Sequence, residues 1–229
     1  MNKSHDSGWA SDAPTPAQLK EFFAQIENRR ITKEKLQMFL RGETSEVNIE
    51  EQKESWRIFY QKFFGTDIDF SSIRIPEKQP GFDRLIVVAQ GLTLNQVYGK
   101  CAENFPCSRY IDDLDKAITQ NDRNPIKGSY AIWVRDRIKA DEELKNLSAN
   151  DLKKKNILGI TLLEHLLYGL KYWVETGKHL DIQNWTLCAG SRDSGGGVPS
   201  GRWYGDRLGV SWDDPDYRYV GLRARAAVS

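Results

Sequence analysis

The sequence predicts a mixed α+β protein in which a helical N-terminal segment precedes a domain of helices and short strands. Three observations carry this. Capping boxes at Thr15–Gln18, Thr93–Gln96 and Thr161–Glu164 each open a helical stretch. Two stretches, Tyr130–Val134 and Leu208–Trp212, alternate with a period of two. From Trp185 onward, short apolar runs are separated by turns rich in Gly, Ser and Asp.

Residues 1–13 are polar and are expected to be a disordered leader. Thr15 caps a helix with Pro16 at its first position, and Leu19, Phe22, Phe23 and Ile26 line one face. A second short helix restarts at Ile31-Thr32, runs through Leu36, Phe39 and Leu40, and stops at Gly42. Such a hairpin is too small to hold a core of its own, so it is expected to dock on the main body or on a partner. A third helix is expected from about Glu46 to Phe64, with Ile49, Trp56, Phe59, Tyr60 and Phe63 on its apolar side and Gly65 at its end. Residues 66–80 read as extended chain. The N-terminal segment and linker therefore span 14–80, and the main domain 81–229.

Within that domain, Leu85–Ala89 is a short buried strand bounded by Gly81 and Gly91. A helix runs from Thr93 toward Phe105, and another is expected over Asp112–Thr119. Ser129–Ile138 reads as a strand, Asp141–Leu147 as a short helix, and Ser148-Ala149-Asn150-Asp151 as a further helix start. Leu163, Leu166, Leu167, Leu170 and Val174 give the clearest amphipathic helix, closed by Gly177. Strands follow over Trp185–Ala189, Leu208–Trp212 and Leu222–Val228, with turns at 194–197, 205–206 and 213–216. The 130–138 strand is expected to lie near the 222–228 strand.

Composition excludes several classes. Lys and Arg number 33 and Asp and Glu 32, a net charge of +1 that gives no basic surplus for nucleic acid. No apolar run approaches the roughly 18 residues of a membrane helix, so membrane insertion is not expected. No signal core follows the N-terminal charges, so a cytoplasmic location is expected, with export by another route left open. Cys101, Cys107 and Cys188 cannot build a disulfide framework, and an odd number suits a reducing compartment.

Known chemical motifs are weak or missing. Asp193-Ser194-Gly195-Gly196 is like a serine-protease nucleophile loop, but His5, His165 and His179 occupy no matching motif. Gly195-Gly196-Gly197 is followed by Val198-Pro199 rather than the helix a phosphate loop needs. Cys101 and Cys107 lack zinc-ligand spacing. Trp212-Asp213-Asp214 is superficially like the calcium motif of animal C-type lectins, without a second acidic loop. Neither a catalytic site nor a metal or other cofactor is expected.

The tail differs from the rest of the chain. Lys, Glu, Gln and Met together occur 43 times in residues 1–183 and not once in residues 184–229, where the upstream frequency predicts about 11. Charge persists there as six Arg and five Asp. A β-rich tail explains a deficit, because strands disfavour Lys, Glu and Gln. It does not readily explain their complete absence.

Trp185-Thr-Leu-Cys-Ala-Gly-Ser-Arg192, Val198-Pro199, Trp203, Leu208-x-Val210-x-Trp212, Pro215-Asp216 and Leu222-Arg-Ala-Arg225 resemble the variable region of target proteins of diversity-generating retroelements. The likeness is to the kind found in uncultivated bacteria and archaea of reduced genomes. Ser129–Ile138 and Gly159–Leu180 resemble the scaffold of the same proteins, so the likeness spans roughly 84–229. The Thr15–Gly42 hairpin resembles a leader common on them.

The resemblance implies an α+β, C-type-lectin-like domain without the lectin calcium site, preceded by an N-terminal helical segment. It implies calcium-independent ligand binding by a hypervariable region at about 190–221, diversified by a reverse transcriptase that misreads adenines. Asn codons mutated only at adenine never yield Lys, Glu, Gln or Met, the four types missing from the tail, nor Trp, so that Trp203 and Trp212 must be fixed framework. No Asn follows Asn184, so this copy is heavily diversified or selected.

On that reading Val198, Pro199, Trp203, Leu208, Val210, Trp212, Pro215, Leu222, Ala224 and Val228 are framework. The displayed candidates are Asp193, Gly195, Gly197, Ser200, Arg202, Tyr204, Gly205, Asp206, Arg207, Gly209, Ser211, Asp213, Asp214, Tyr217, Arg218, Tyr219, Val220 and Gly221. Tyr, Arg, Ser, Gly and Asp form a palette suited to binding surfaces. The expected ligand is a protein of unknown identity. The alternatives are an enzyme like the formylglycine-generating enzymes, which needs reactive cysteines or metal ligands near the C-terminal face, and an interaction protein with a fixed partner.

Overall fold

The computed structural model describes residues 15–28, 31–40 and 48–229, and the chain divides into two units, residues 1–48 and 49–229. The expected leader, the Gly42 stop and the Glu46 helix start lie outside the described residues.

In the first unit, helix α1 (Pro16–Glu27) begins as its sequence requires. The Gln18 N–H donates to the Thr15 hydroxyl, and the Gln18 side-chain oxygen accepts from the Thr15 N–H. Helix α2 (Lys33–Leu40) follows.

The second unit opens with helix α3 (Ile49–Phe64), which Gly65 ends at a φ of +67°. This helix corrects the expected boundary. Its face of Trp56, Phe59 and Tyr60 is buried against strand β1 (Arg84–Val88). The Trp56 indole donates to the Leu85 carbonyl at 3.0 Å and the Tyr60 hydroxyl to the Val87 carbonyl at 2.9 Å. A helix bonded to the core in this way belongs to the main domain, so the division falls at 48/49 rather than 80/81. Ile49, expected on the packed face, is exposed.

Helix α4 (Leu94–Asn104) has the predicted capping box, and strand β2 (Cys107–Arg109) follows. The helix expected over 112–119 shrinks to one turn, α5 (Leu114–Ala117). Residues Ile118–Asn121 instead form strand β3, which pairs antiparallel with β6 (Ser191–Asp193). Strand β4 (Tyr130–Val134) pairs antiparallel with β1, with Ile132 opposite Ile86. It stops short of Ile138: the Arg137 N–H turns back onto the Arg135 carbonyl, and the carbonyls of Arg137 and Ile138 accept from the Arg225 guanidinium. Trp133 and Val228 exchange backbone hydrogen bonds at 2.9 Å, so the two expected neighbours do meet.

A 3-10 turn at Glu142–Leu144 replaces the helix expected at 141–147, and Ser148 caps α6 (Ala149–Lys154). Helix α7 (Leu162–Thr176) is buried on nearly every side and ends at Gly177 in the left-handed region. Leu166, Leu167 and Leu170 share the interior with Leu85, Ile86, Ile132 and Trp133.

The remaining strands are β5 (Trp185–Leu187), β7 (Val198–Tyr204), β8 (Arg207–Asp213) and β9 (Leu222–Ala224). With β2 they form a five-stranded sheet in the order β2-β8-β7-β5-β9. The longest of them together with β8, β7 was not anticipated: Val-Pro-Ser-Gly-Arg-Trp-Tyr shows no alternation, and proline is unusual inside a sheet. Pro199 is tolerated because its carbonyl accepts from Cys188, one residue past the end of β5. Its missing N–H would point to that same side, where the ladder has stopped.

Candidate functional site

The sheet of β5, β7 and β8 has two unlike faces, because directly opposed residues of an antiparallel pair share a side. One face meets α7. Gly201, opposite Val210 and Thr186, lies against the imidazole of His165. Trp203 stacks on His179 with ring centres 3.4 Å apart and meets Phe105 edge-on.

The other face carries display candidates. Arg202 stands opposite Gly209, Tyr204 opposite Arg207, and Ser200 opposite Ser211, with Ser108 of β2 beside Gly209. The Arg202 guanidinium carbon lies 4.0 Å from the Trp185 ring centre and 4.1 Å from that of Tyr204. Tyr219, from the loop after β8, approaches Trp185 at 6.1 Å. Tyr204 is 64% and Tyr219 45% exposed. Three parts of the tail therefore converge on one exposed patch, with Trp185 at its centre.

Two displayed candidates are corrected. Ser200 is 2% and Asp213 8% exposed, at the end of the β7–β8 ladder where the chain turns back onto α6 and the Asn150 N–H donates to the Pro215 carbonyl. Burial pushes the Asp213 carboxyl above its usual range, opposed by the nearby Ser200 hydroxyl and the Arg202 charge. Trp212 is corrected in the other direction. It shares a face with Val210, which is buried, but is itself 54% exposed because the packed layer ends between them.

The other candidates occupy separate places. Asp193, Gly195 and Gly197 form the β6–β7 turn, where the Asp193 carboxylate accepts from the Gly195 and Gly197 N–H groups at 2.8 and 2.7 Å. Seven strand residues separate this turn from the β7–β8 tip, roughly 20 Å at strand rise. At the tip, Gly205 takes a φ of +61° and Asp206 pairs with Arg207 at 3.0 Å. In the 214–221 loop, Asp214 accepts from the Asp216 N–H, and Arg218 forks onto Asp151 at 2.6 and 2.7 Å. Gly221 backs onto the Tyr219 ring, while Tyr217 and Val220 are exposed.

The sequence reading missed Trp185 and Ser108 as surface members. Trp185 was hidden in an apolar run that reads as core, and Ser108 carries no signal of its own.

Among the described residues, no three His, Cys, Asp or Glu side chains gather to hold a metal ion. Cys101 and Cys188 are buried and Cys107 half-buried. Burial pushes all three thiols up, Cys107 to about 11, away from the reactive thiolate form. A cleft of about 510 Å³ lies beside α6 and β6, lined in part by Asn121, Leu152, Lys153, Ile157 and Arg192. Its Arg192 donates to the carbonyls of Ala189 and Ser191. Among the described residues, no helix is long and apolar enough to cross a membrane. Comparison with protein-family models, with curated proteins and with solved structures finds no match for this chain.

Proposed function

We propose that this protein is a ligand-binding protein of the diversity-generating-retroelement type, with a C-type-lectin-like domain that displays a variable surface. The observation that carries the reading is the cluster of Arg202, Tyr204 and Trp185, joined by Tyr219. It is a stacked cation among exposed aromatics, built on a sheet whose opposite face is locked against α7. Aromatic and arginine side chains dominate the energetics of protein recognition. A rigid underside lets the outer residues change without loss of the fold. The C-terminal segment past β9, where Val228 bridges to Trp133 of β4 and Ala226 to Gly159, and the tail's lack of Lys, Glu, Gln and Met, support the same reading. Binding, rather than catalysis, is the role proposed.

The test is to sequence the 3′ end of this gene and its surroundings in independent cells of one natural population. Substitutions should concentrate at Arg202, Tyr204, Ser211, Tyr217 and Tyr219, and spare Val198, Trp203, Val210 and Leu222. A reverse-transcriptase gene and a near-copy of the 3′ end should lie beside it. Substitutions spread evenly over both sets would overturn the reading.

A further inference from the structure

We infer that the Arg202 surface takes an acidic polypeptide segment, one of whose carboxylates docks on the guanidinium edge of Arg202. The inference rests on the proposed binding role and adds the chemistry of the partner.

The first support is how this fold treats its enclosed arginines. Arg84, Arg123, Arg135, Arg223 and Arg225 each have a carboxylate within 2.6–2.8 Å. Arg109 rests on the Asn95 amide oxygen, and Arg192 on two backbone carbonyls. Arg202 is half-buried and has neither: it makes no side-chain hydrogen bond or ion-pair contact among the described residues, and the Asp213 carboxylate feels its charge without contacting it. Stacking on Trp185 and Tyr204 holds its position without using an N–H group. A held guanidinium with free N–H groups is pre-organised for a planar, forked acceptor, which a carboxylate is.

The second support is space. A β-carbon built on Gly209, directly opposite Arg202, would meet only the Ser108 hydroxyl at 3.7 Å and the Arg202 carbonyl at 3.9 Å. The short side chains of Ser108, Gly209 and Ser211 thus leave the sheet surface beside Arg202 low, with Tyr204 standing exposed at one end.

Charge decides between a polypeptide and a nucleic acid. Arg207 contacts Asp206 and Arg218 contacts Asp151, which leaves Arg202 as the cation of this face without a carboxylate in contact among the described residues. One such cation matches one carboxylate, whereas a phosphate chain draws affinity from several.

The experiment probes the full-length chain with an array of random-sequence peptides. Each Asp- or Glu-containing peptide has a twin carrying Asn or Gln. Wild-type protein should prefer acidic members over their twins by about tenfold or more. Arg202→Gln should lose that preference, and Arg202→Lys, which keeps charge but not the fork, should keep part of it. Unchanged melting would show that both variants fold. The inference is overturned if no peptide binds, if binding shows no carboxylate preference, if Arg202→Gln retains the preference, or if a single-stranded oligonucleotide competes through Arg202 better than the peptides do. A Tyr204→Ser/Tyr219→Ser variant separates the two readings. Binding lost in that variant but indifferent to carboxylates sinks the chemistry alone. Binding unaffected by it sinks the surface as the binding site.

Discussion

Gly201 of β7 lies against the imidazole of His165 on α7 so closely that a β-carbon at position 201 would overlap the ring. The contact ties the sheet to the helix beneath it and makes the two faces of β7 unequal in tolerance.

Gly201→Ala should therefore destabilise the protein by about 1–3 kcal/mol, the usual cost of forcing atoms into a packed interior. Gly209→Ala, on the outer face, meets only ordinary van der Waals neighbours and should cost under about 0.5 kcal/mol. Urea unfolding of the two variants checks this. Equal losses would mean that the two faces are not as distinct as the register makes them.

Replacing Tyr204, Arg207, Tyr217 and Tyr219 together with Ser should lower the melting temperature by only a few degrees, since exposed substitutions cost little. Trp212→Ser belongs with them, because its ring stands largely in solvent. Trp133→Ala, fully buried, should cost about 3–5 kcal/mol. Collapse of the fourfold variant would show that those residues are framework rather than display.

What was legible in the sequence was local. Thr15, Thr93 and Thr161 each form their capping box because the partner sits three residues away, and Gly177 stops α7 for an equally local reason. Strand β7 was illegible because its pairing partners β5 and β8, rather than its own pattern, impose the extended form. The proposed binding patch was half legible. Arg202, Tyr204 and Tyr219 stood out by type, but Trp185 and Ser108 join them only through strand pairing and ring contact with other segments. Asp213 and Trp212 were exchanged in role because alternation says which residues share a face and does not say where the covering layer ends.

Arg225 was the least legible, since arginines alternating with alanines read as a solvated face. It is buried beside Asp181, 2.8 Å away, and Asp181 also accepts from the Ala140 N–H, the Thr186 hydroxyl and the Asn184 amide. Removing one partner leaves the other charged and enclosed. Arg225→Met should cost about 3–5 kcal/mol in urea unfolding. Arg218→Ala, at the exposed pair with Asp151, should barely move the midpoint. If Arg225→Met is as mild as Arg218→Ala, the buried pair does not organise this corner.

His165 is enclosed, and burial lowers its pKa from 6.5 to about 4, with Asp181 opposing the shift and Arg225 reinforcing it. The fold accepts the neutral imidazole, while the unfolded chain takes up a proton near pH 6.5. Between about pH 6.5 and pH 4 the unfolded state binds more protons. The contribution of His165 is thus complete above that window and declines as the pH falls through it, at up to about 1.4 kcal/mol per pH unit. Other groups titrate nearby, His179 among them, so the quantity to measure is a difference. Stability of the wild type and of His165→Gln should be compared by urea unfolding at pH 7.5 and at pH 5. Glutamine does not titrate, so the wild type should lose more between the two pH values than the variant does. Curves that run parallel through the window would show that His165 does not carry this dependence.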